Sequence, residues 1–425
     1  MDKRKHPWYR QRGYLHFDLP IGFKKASFIV KNPTAVAKYS FWPLIDYQII
    51  VEKLAKSDAG VLEKKTKERP IAYAAHLDSH IYAYYSHILS SHYEKELLRL
   101  GLEQNVLAFR SLGKSNIHFA NDAFNAIRAF GPCGVVGVDI SGFFDNLDHM
   151  LLKKRWCDLL GKSQLPLDHY RVFRSLTHYA SVNRDELYST LGIAKHNPKH
   201  GRKRVCSPKE FDRLVRSGAL IKKNDGSMGI PQGSPISALL SNIYMLKFDQ
   251  HMAEAVNEWG GHYFRYCDDM LFIVPKEFTD SVAGMVARDI KALNLTINTK
   301  KTERRIFDYD SSGSLFSEKP LQYLGFLFNG QNIFIRSAAF ARFSERMKRG
   351  VTLAKSTCRK RNKTKIRRGK KTTTLYKRKL YDRYSHLGKR NFIRYAIRAA
   401  EIMESKTIKR QIKPLWRNLQ DEINQ

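Results

Sequence analysis

Apolar positions recur every three to four residues from Ala74 to Leu100, through Leu77, Ile81, Tyr84, Tyr85 and Ile88, and predict a helix. A second helix is predicted over Phe119–Phe130, between them a strand end at Leu107–Arg110 and a basic turn at Gly113–Asn116. The Val-rich run from Gly134 to Ile140 has the length and content of a buried strand. Leu151, Leu152 and Trp156 mark a following helix, and Glu210–Ser217 a short one. Ser234 is a favourable N-cap and Pro235 a favourable first helical residue, with Ile236, Leu239, Leu240, Ile243 and Leu246 on one helical face behind them. Two runs rich in aromatic and branched residues, His262–Arg265 and Met270–Val274, flank Tyr266-Cys267-Asp268-Asp269. They predict a hairpin with Asp268 and Asp269 at its turn. Ser281–Leu293 again has helical spacing.

A chain of 425 residues has room for two or three domains, and 12% aromatic content excludes a disordered composition. The formal charge is +35, which implies a polyanionic partner, nucleic acid above all. No apolar stretch approaches the ~18 residues of a membrane span, and no apolar segment follows the basic N-terminus as a signal peptide requires. The five cysteines are scattered without a C-x-x-C pair, which speaks against structural zinc and fits a reducing cytoplasm. Residues 1–60 interleave basic and aromatic side chains, a pattern of ordinary core and surface that also suits base stacking. Between Ala341 and Arg390 stand twenty Lys and Arg against two acids, Glu345 and Asp382. Apolar positions from Tyr381 to Ile397 make this more than a basic tail. Residues 340–425 are expected to form a basic helical domain that grips a nucleic-acid backbone.

The candidate chemistry lies in carboxylates. Asp139 ends a strand expected to be buried, and a buried carboxylate needs a cation or strong donors. Asp268 and Asp269 supply two more, and hard cations such as Mg²⁺ take one or two carboxylates and complete their shells with water and phosphate oxygens. The segment Gly229-Ile230-Pro231-Gln232-Gly233-Ser234 places glycine at a helix entrance, where a ligand or another backbone can approach. Lys64-Lys65-Thr66-Lys67-Glu68-Arg69 is a solvated loop or, beside a triphosphate, its holder.

Val138-Asp139 through Phe144, Gly229 to Pro235, the Tyr266–Asp269 tetrad, Lys300-Lys301-Thr302 and Tyr323-Leu324-Gly325-Phe326 stand in the order of reverse transcriptase motifs. The chain resembles the bacterial reverse transcriptases related to retrons and group II introns. By its length, its tetrad and its Tyr384–Phe392 segment it is similar, more narrowly, to the type 2 defence-associated reverse transcriptases. The resemblance implies an α+β right-hand fold: an N-terminal extension over 1–60, fingers over 61–130, a palm with an antiparallel sheet and inserted fingers elements over 131–325, and a basic helical thumb over 326–425. It implies an RNA-directed DNA polymerase of a bacterial anti-phage system, in the cytoplasm, that copies a structured non-coding RNA into cDNA, which repeated copying would concatenate. Asp139, Asp268 and Asp269 would be catalytic. Asp139, Asp268 and the carbonyl of Ile140 would hold two Mg²⁺ ions, with Mn²⁺ as a substitute. Lys65, Arg69, Phe144, Gln232 and Lys301 would bind the dNTP, Phe144 as the steric gate against a 2′-OH. Arg110, Lys114, Gly233, Tyr266, Leu324 and Gly325 would meet template and primer. The alternatives are a retron- or group II intron-like enzyme with another template, and a non-catalytic RNA-binding scaffold.

Overall fold

The computed structural model describes residues 6–56 and 62–425. After two short helices, α1 (Phe23–Val30) and α2 (Pro33–Ala37), the chain forms a long antiparallel hairpin of β1 (Leu44–Lys56) and β2 (Leu62–Tyr73). The basic run Lys64–Arg69 is therefore strand. Pro70 is tolerated within it because β2 is the edge of its sheet, where no neighbour needs a proline N–H. Helix α3 (His76–Arg99) follows, its first backbone amides accepted by the carboxylate of Asp18. Helix α4 (Asn116–Phe130) starts at a Ser115 cap and leads into β3 (Cys133–Asp139).

Beyond β3 come α5 (His149–Leu160), α6 (Leu167–Thr177), β4 (Ala180–Asn183), α7 (Arg184–Thr190), α8 (Pro208–Glu210) and β5 (Ile221–Lys223). Of the expected helix Glu210–Ser217 only Glu210 is α-helical, as the end of α8; Phe211–Arg216 continues it as a π-helical turn. β4 runs parallel to β1, and the sheet order is β2-β1-β4-β5. Helix α9 (Ser237–Glu258) precedes the hairpin β6 (His262–Tyr266) and β7 (Asp269–Val274), then α10 (Thr279–Ala292) and β8 (Glu303–Tyr309). With β9 (Leu315–Phe316) these strands make a five-stranded sheet of order β6-β7-β3-β8-β9, in which every pairing is antiparallel.

Both faces of this sheet are covered, which explains why β3 reads as continuously apolar. Val136 and Val138 join the core shared with α3, α5, α9 and α10, whereas Val135, Leu271 and Ile273 pack on α4 and a second core. Gly134 lets β3 approach α10: a Cβ there would meet Thr279 Oγ1 at 1.9 Å. That second core is shared with a meander of β10 (Leu321–Tyr323), β11 (Phe326–Phe328) and β12 (Ile333–Ile335).

The chain ends in helices α11 (Ser337–Arg367), α12 (Arg378–Tyr384), α13 (Phe392–Ile402) and α14 (Lys406–Asn424). The 31 residues of α11 span roughly 45 Å. Its buried positions, Phe343, Met347 and Val351, lie one turn apart in its first half. Arg359, Lys360, Arg361, Lys363 and Arg367 in the second half are exposed. Among the described residues no helix is long and apolar enough to cross a membrane.

Candidate active site

Asp139 is the last residue of β3, and strand register sets it directly opposite Asp269, the first residue of β7. Asp268 is next to them on the turn that joins β6 to β7. This corrects the expected hairpin: Tyr266 pairs with Asp269, so the turn residues are Cys267 and Asp268, and Asp269 belongs to the strand. Two-residue hairpins favour backbone of positive φ, and here Cys267 adopts φ 62°, a strained value for a residue with a Cβ. Its thiol is buried, and burial together with Asp268 pushes its pKa up. It remains a protonated packing group.

The turn is held from below. Strand alternation sends Tyr263, Arg265 and Cys267 inward. The guanidinium of Arg265, fully buried, grips Asp249 of α9 with Nε at 2.6 Å from Oδ1 and Nη2 at 2.5 Å from Oδ2. Burial opposes its charge, but Asp249 outweighs burial and raises its pKa. Nη1 donates to Asn242 Oδ1 at 3.0 Å and to the carbonyl of Cys267 at 3.2 Å. Tyr263 donates to Asp249 at 2.8 Å, and Asn242 donates to the carbonyl of Ala108 at 2.9 Å. Sequence reading missed Arg265 and Asp249. The signal for them was a charged residue at an inward strand position and another in the apolar register of α9.

The carboxylates sit in a sparse field of cations. Asp139 is 8% exposed and accepts Lys301 Nζ at 2.5 Å. Lys301, rather than its neighbour Lys300, reaches it because the Asn298–Thr302 turn is tied to β3 by Asn298 N–H donating to the carbonyl of Asp139 at 2.7 Å. Asp269 is pushed up to about 7 by burial first, then by Asp268 and Asp139, against the opposing pull of Lys301 and Arg336. Arg336 caps the start of α11, and its Nε is buried without a partner; so is the hydroxyl of Tyr323, close enough to Asp269 to feel its charge. Among the described residues no three His, Cys, Asp or Glu side chains converge to cage an ion on their own. The donor set instead suits a hard divalent cation of the kind that takes one or two carboxylates and completes its shell with water and phosphate oxygens.

The family model described as reverse transcriptase (RNA-dependent DNA polymerase) matches residues 56–328. The chain belongs to the reverse transcriptase family. No curated protein matches it in sequence. Among solved structures it is similar to apo telomerase from Candida tropicalis truncated from the C-terminal domain, at 11% identity and a TM-score of 0.40, over 68% of this chain and 57% of that one. It is also similar to telomerase from Candida albicans in complex with a fragment of telomeric RNA, at 14% identity and a TM-score of 0.39, over 94% of this chain and 66% of that one. This reverse transcriptase thus spans less than two thirds of the length of either structure.

The remaining residues named from sequence fall into three groups. Phe144 lies half-buried in a 3-10 turn, and its carbonyl accepts Ile230 N–H at 2.9 Å. From there the segment runs to Gln232, whose carbonyl accepts Ala72 N–H of β2 at 2.8 Å. Gly233 is required beside it, with φ 109° and a would-be Cβ 2.6 Å from the carbonyl of Ala72. Phe144, Gln232, Gly233 and the base of the β1–β2 hairpin are so joined. Arg69 is exposed on β2; the side chain of Lys65 lies outside the described residues. Helix α9 begins only at Ser237, and the Ser234 hydroxyl, expected as its cap, is buried without a partner.

The second group surrounds the carboxylates. Ile140 follows Asp139 and bridges to Ile297. Tyr266 pairs with Asp269, its ring 5.9 Å from Phe119. Leu324 and Gly325 form the turn between β10 and β11 with φ 45° and 96°, and Asn116 Nδ2 donates to the carbonyl of Leu324 at 3.1 Å.

The third group is elsewhere engaged. Arg110 is not free to meet a template as expected: its side chain is 4% exposed and gives its donors to Glu94 and to the carbonyls of Glu103 and Val106. Residues 107–110 form no strand, and Ala108 and Phe109 lie in a turn. Lys114 is partly exposed and pairs with Asp122 at 2.8 Å.

Proposed function

We propose that this reverse transcriptase copies an associated structured RNA into DNA by nucleotidyl transfer at Asp139, Asp268 and Asp269. The pairing of Asp139 with Asp269 at one end of two adjacent strands, with Asp268 on the adjoining turn, carries this reading. The five-stranded sheet serves as palm within 131–325, which also carries inserted fingers elements, the segment 61–130 as fingers, 326–425 as thumb, and 1–60 as an N-terminal extension whose β1 pairs with β2 of the fingers. Asp139, Asp268 and the carbonyl of Ile140 would hold Mg²⁺, or Mn²⁺ in its place, which would supply activation of the primer 3′-hydroxyl and charge stabilisation of the leaving pyrophosphate. Asp269 orients Asp139 and Asp268 through the strand pairing.

Lys301, already on Asp139, also meets an incoming triphosphate, together with exposed Arg69 of the hairpin, and Lys65 is the further residue assigned to that role. The ring of Phe144 lies under the sugar and rejects a 2′-OH. Gln232 and Gly233 line the nascent pair, and Tyr266 with the Leu324-Gly325 turn supports the primer end. The exposed cations of α11 hold the RNA backbone. The +35 charge of the chain and the similarity of its Tyr384–Phe392 segment support a non-coding RNA partner and a role in bacterial anti-phage defence, in the cytoplasm.

The test is sequencing of RNA and DNA co-purified with the wild type and with Asp268→Ala/Asp269→Ala, each expressed with native flanking DNA. One discrete RNA in both and complementary DNA in the wild type alone is expected. RNA in both and cDNA in neither would instead describe a scaffold, and an absent discrete RNA would remove the dedicated template.

A further inference from the structure

The C-terminal helices line a cavity to which none of the residues assigned to polymerisation contributes. Helices α13 and α14, joined by Met403–Ser405, leave about 330 Å³ between them. Ile393, Ile397 and Ala400 of α13 and Ile412 and Leu415 of α14 form an apolar floor. The Tyr384-Ser385-His386 corner closes one end. Trp416 stands at the rim, 36% exposed, its ring 5.0 Å from His386 and 5.6 Å from Tyr381. Exposed Lys409 and Lys413 stand on the same rim, with Glu401 opposing them as its one acid.

We infer that this cavity receives an unpaired base of the bound RNA, stacked against Trp416, with the flanking phosphates on Lys409 and Lys413. The inference rests on the RNA-binding reading above and adds a site to it. An apolar cavity beside an indole suits any base, because every base has a stacking face. The two ammonium groups suit the phosphates on either side of that base. The surrounding segment, with twenty cations against two acids between Ala341 and Arg390, keeps a polyanion close to the slot. A paired base is excluded, since both its faces are covered by its neighbours in the stack; a loop or bulge base is free to enter.

The experiment uses the full chain and two end-labelled probes, a single-stranded oligoadenylate and a blunt RNA duplex of equal length, with binding read by fluorescence anisotropy over a salt series. Trp416→Ala is expected to weaken oligoadenylate binding about ten-fold and to leave the duplex unchanged. Trp416→Phe, which keeps a stacking face, should recover most of that affinity. Lys409→Gln/Lys413→Gln, on exposed positions that folding does not need, should lower the salt dependence for oligoadenylate alone. Unchanged oligoadenylate affinity in Trp416→Ala would overturn the proposal and leave the cavity to a peptide partner. Equal weakening on both probes would overturn it as well. Wild-type binding of neither probe would instead sink the RNA-binding reading itself.

Discussion

Arg265 donates to the carbonyl of Cys267 at 3.2 Å, so the strained turn that carries Asp268 is fastened to a guanidinium with no exposure to solvent. The same guanidinium is fixed on its other edge by Asp249 of α9. Helix and hairpin are thus joined by an ion pair, reinforced by Tyr263 on Asp249 and Arg265 on Asn242, and this network fixes where the turn stands relative to Asp139.

Removal of one partner leaves the other charge buried. Asp249→Ala is expected to cost about 3–5 kcal/mol of stability. Arg265→Lys keeps the charge but cannot bridge Asp249, Asn242 and Cys267 together. It should lower the rate of nucleotide addition about ten-fold while the KM for dNTP changes little, since the turn rather than the nucleotide site is disturbed. Primer extension under single-turnover conditions separates the two, and an effect confined to KM would contradict the positioning role.

Asp269 gives a pH-dependent prediction. Its folded-state pKa of about 7 lies above the ordinary 3.8, so folding favours the protonated carboxyl. The stability tied to it is fully present below about pH 4 and is lost as pH rises through about 7. Asp269→Asn should therefore raise the melting temperature of the metal-free protein at about pH 8 and leave it unchanged near pH 4. Thermal unfolding across that range reads the difference directly; an increase of equal size at every pH would argue against it.

Lys301 lowers the pKa of Asp269 and pairs with Asp139. Lys301→Ala should move the acidic limb of the rate profile to higher pH, because Asp269 then ionises later. It should also raise the KM for dNTP about ten-fold, because the triphosphate is left without this ammonium group. An unmoved acidic limb with a raised KM would keep the nucleotide role and remove the electrostatic one.

Phe144 is linked through Ile230 and Gln232 to the end of β2, which holds its turn against the hairpin base. Phe144→Ala is expected to raise rNTP incorporation relative to dNTP at least ten-fold. Competitive incorporation on one primer–template measures the ratio; an unchanged ratio would refute the gate.

Local pattern carried much of this structure and failed at identifiable places. β3, α9, α10 and the β6–β7 hairpin follow from apolar period, because each buries a face that its own sequence displays. The placement of the turn at Cys267-Asp268 depends on cross-strand register, which a composition of two carboxylates does not reveal. Ser234 has the chemistry of a cap, but close approach of Gly233 to β2 keeps the chain from turning helical before Ser237. Arg110 reads as a cation for a template until Glu94, sixteen residues earlier, is seen to take it. Likewise the charges of Arg265 and Asp249 cancel only once helix and strand are packed. Such pairings are tertiary, so residue type alone suggested a surface role for Arg110 and none for Arg265.

The exposed half of α11 yields a prediction on binding. Arg359, Lys360, Lys363 and Arg367 project from a helix whose buried positions end at Val351, so their neutralisation should leave folding intact. Each phosphate that goes unneutralised reduces the slope of log affinity against log salt by about 0.7 on a single strand and about 0.9 on a duplex. Replacement of all four by Gln should therefore flatten the slope by up to about 3 on a single strand and about 3.6 on a duplex, and weaken RNA binding most at low salt. The chemical step, measured at saturating primer–template, should persist, because none of these side chains reaches the carboxylates. A slope equal to that of the wild type would place the RNA on another face of the protein.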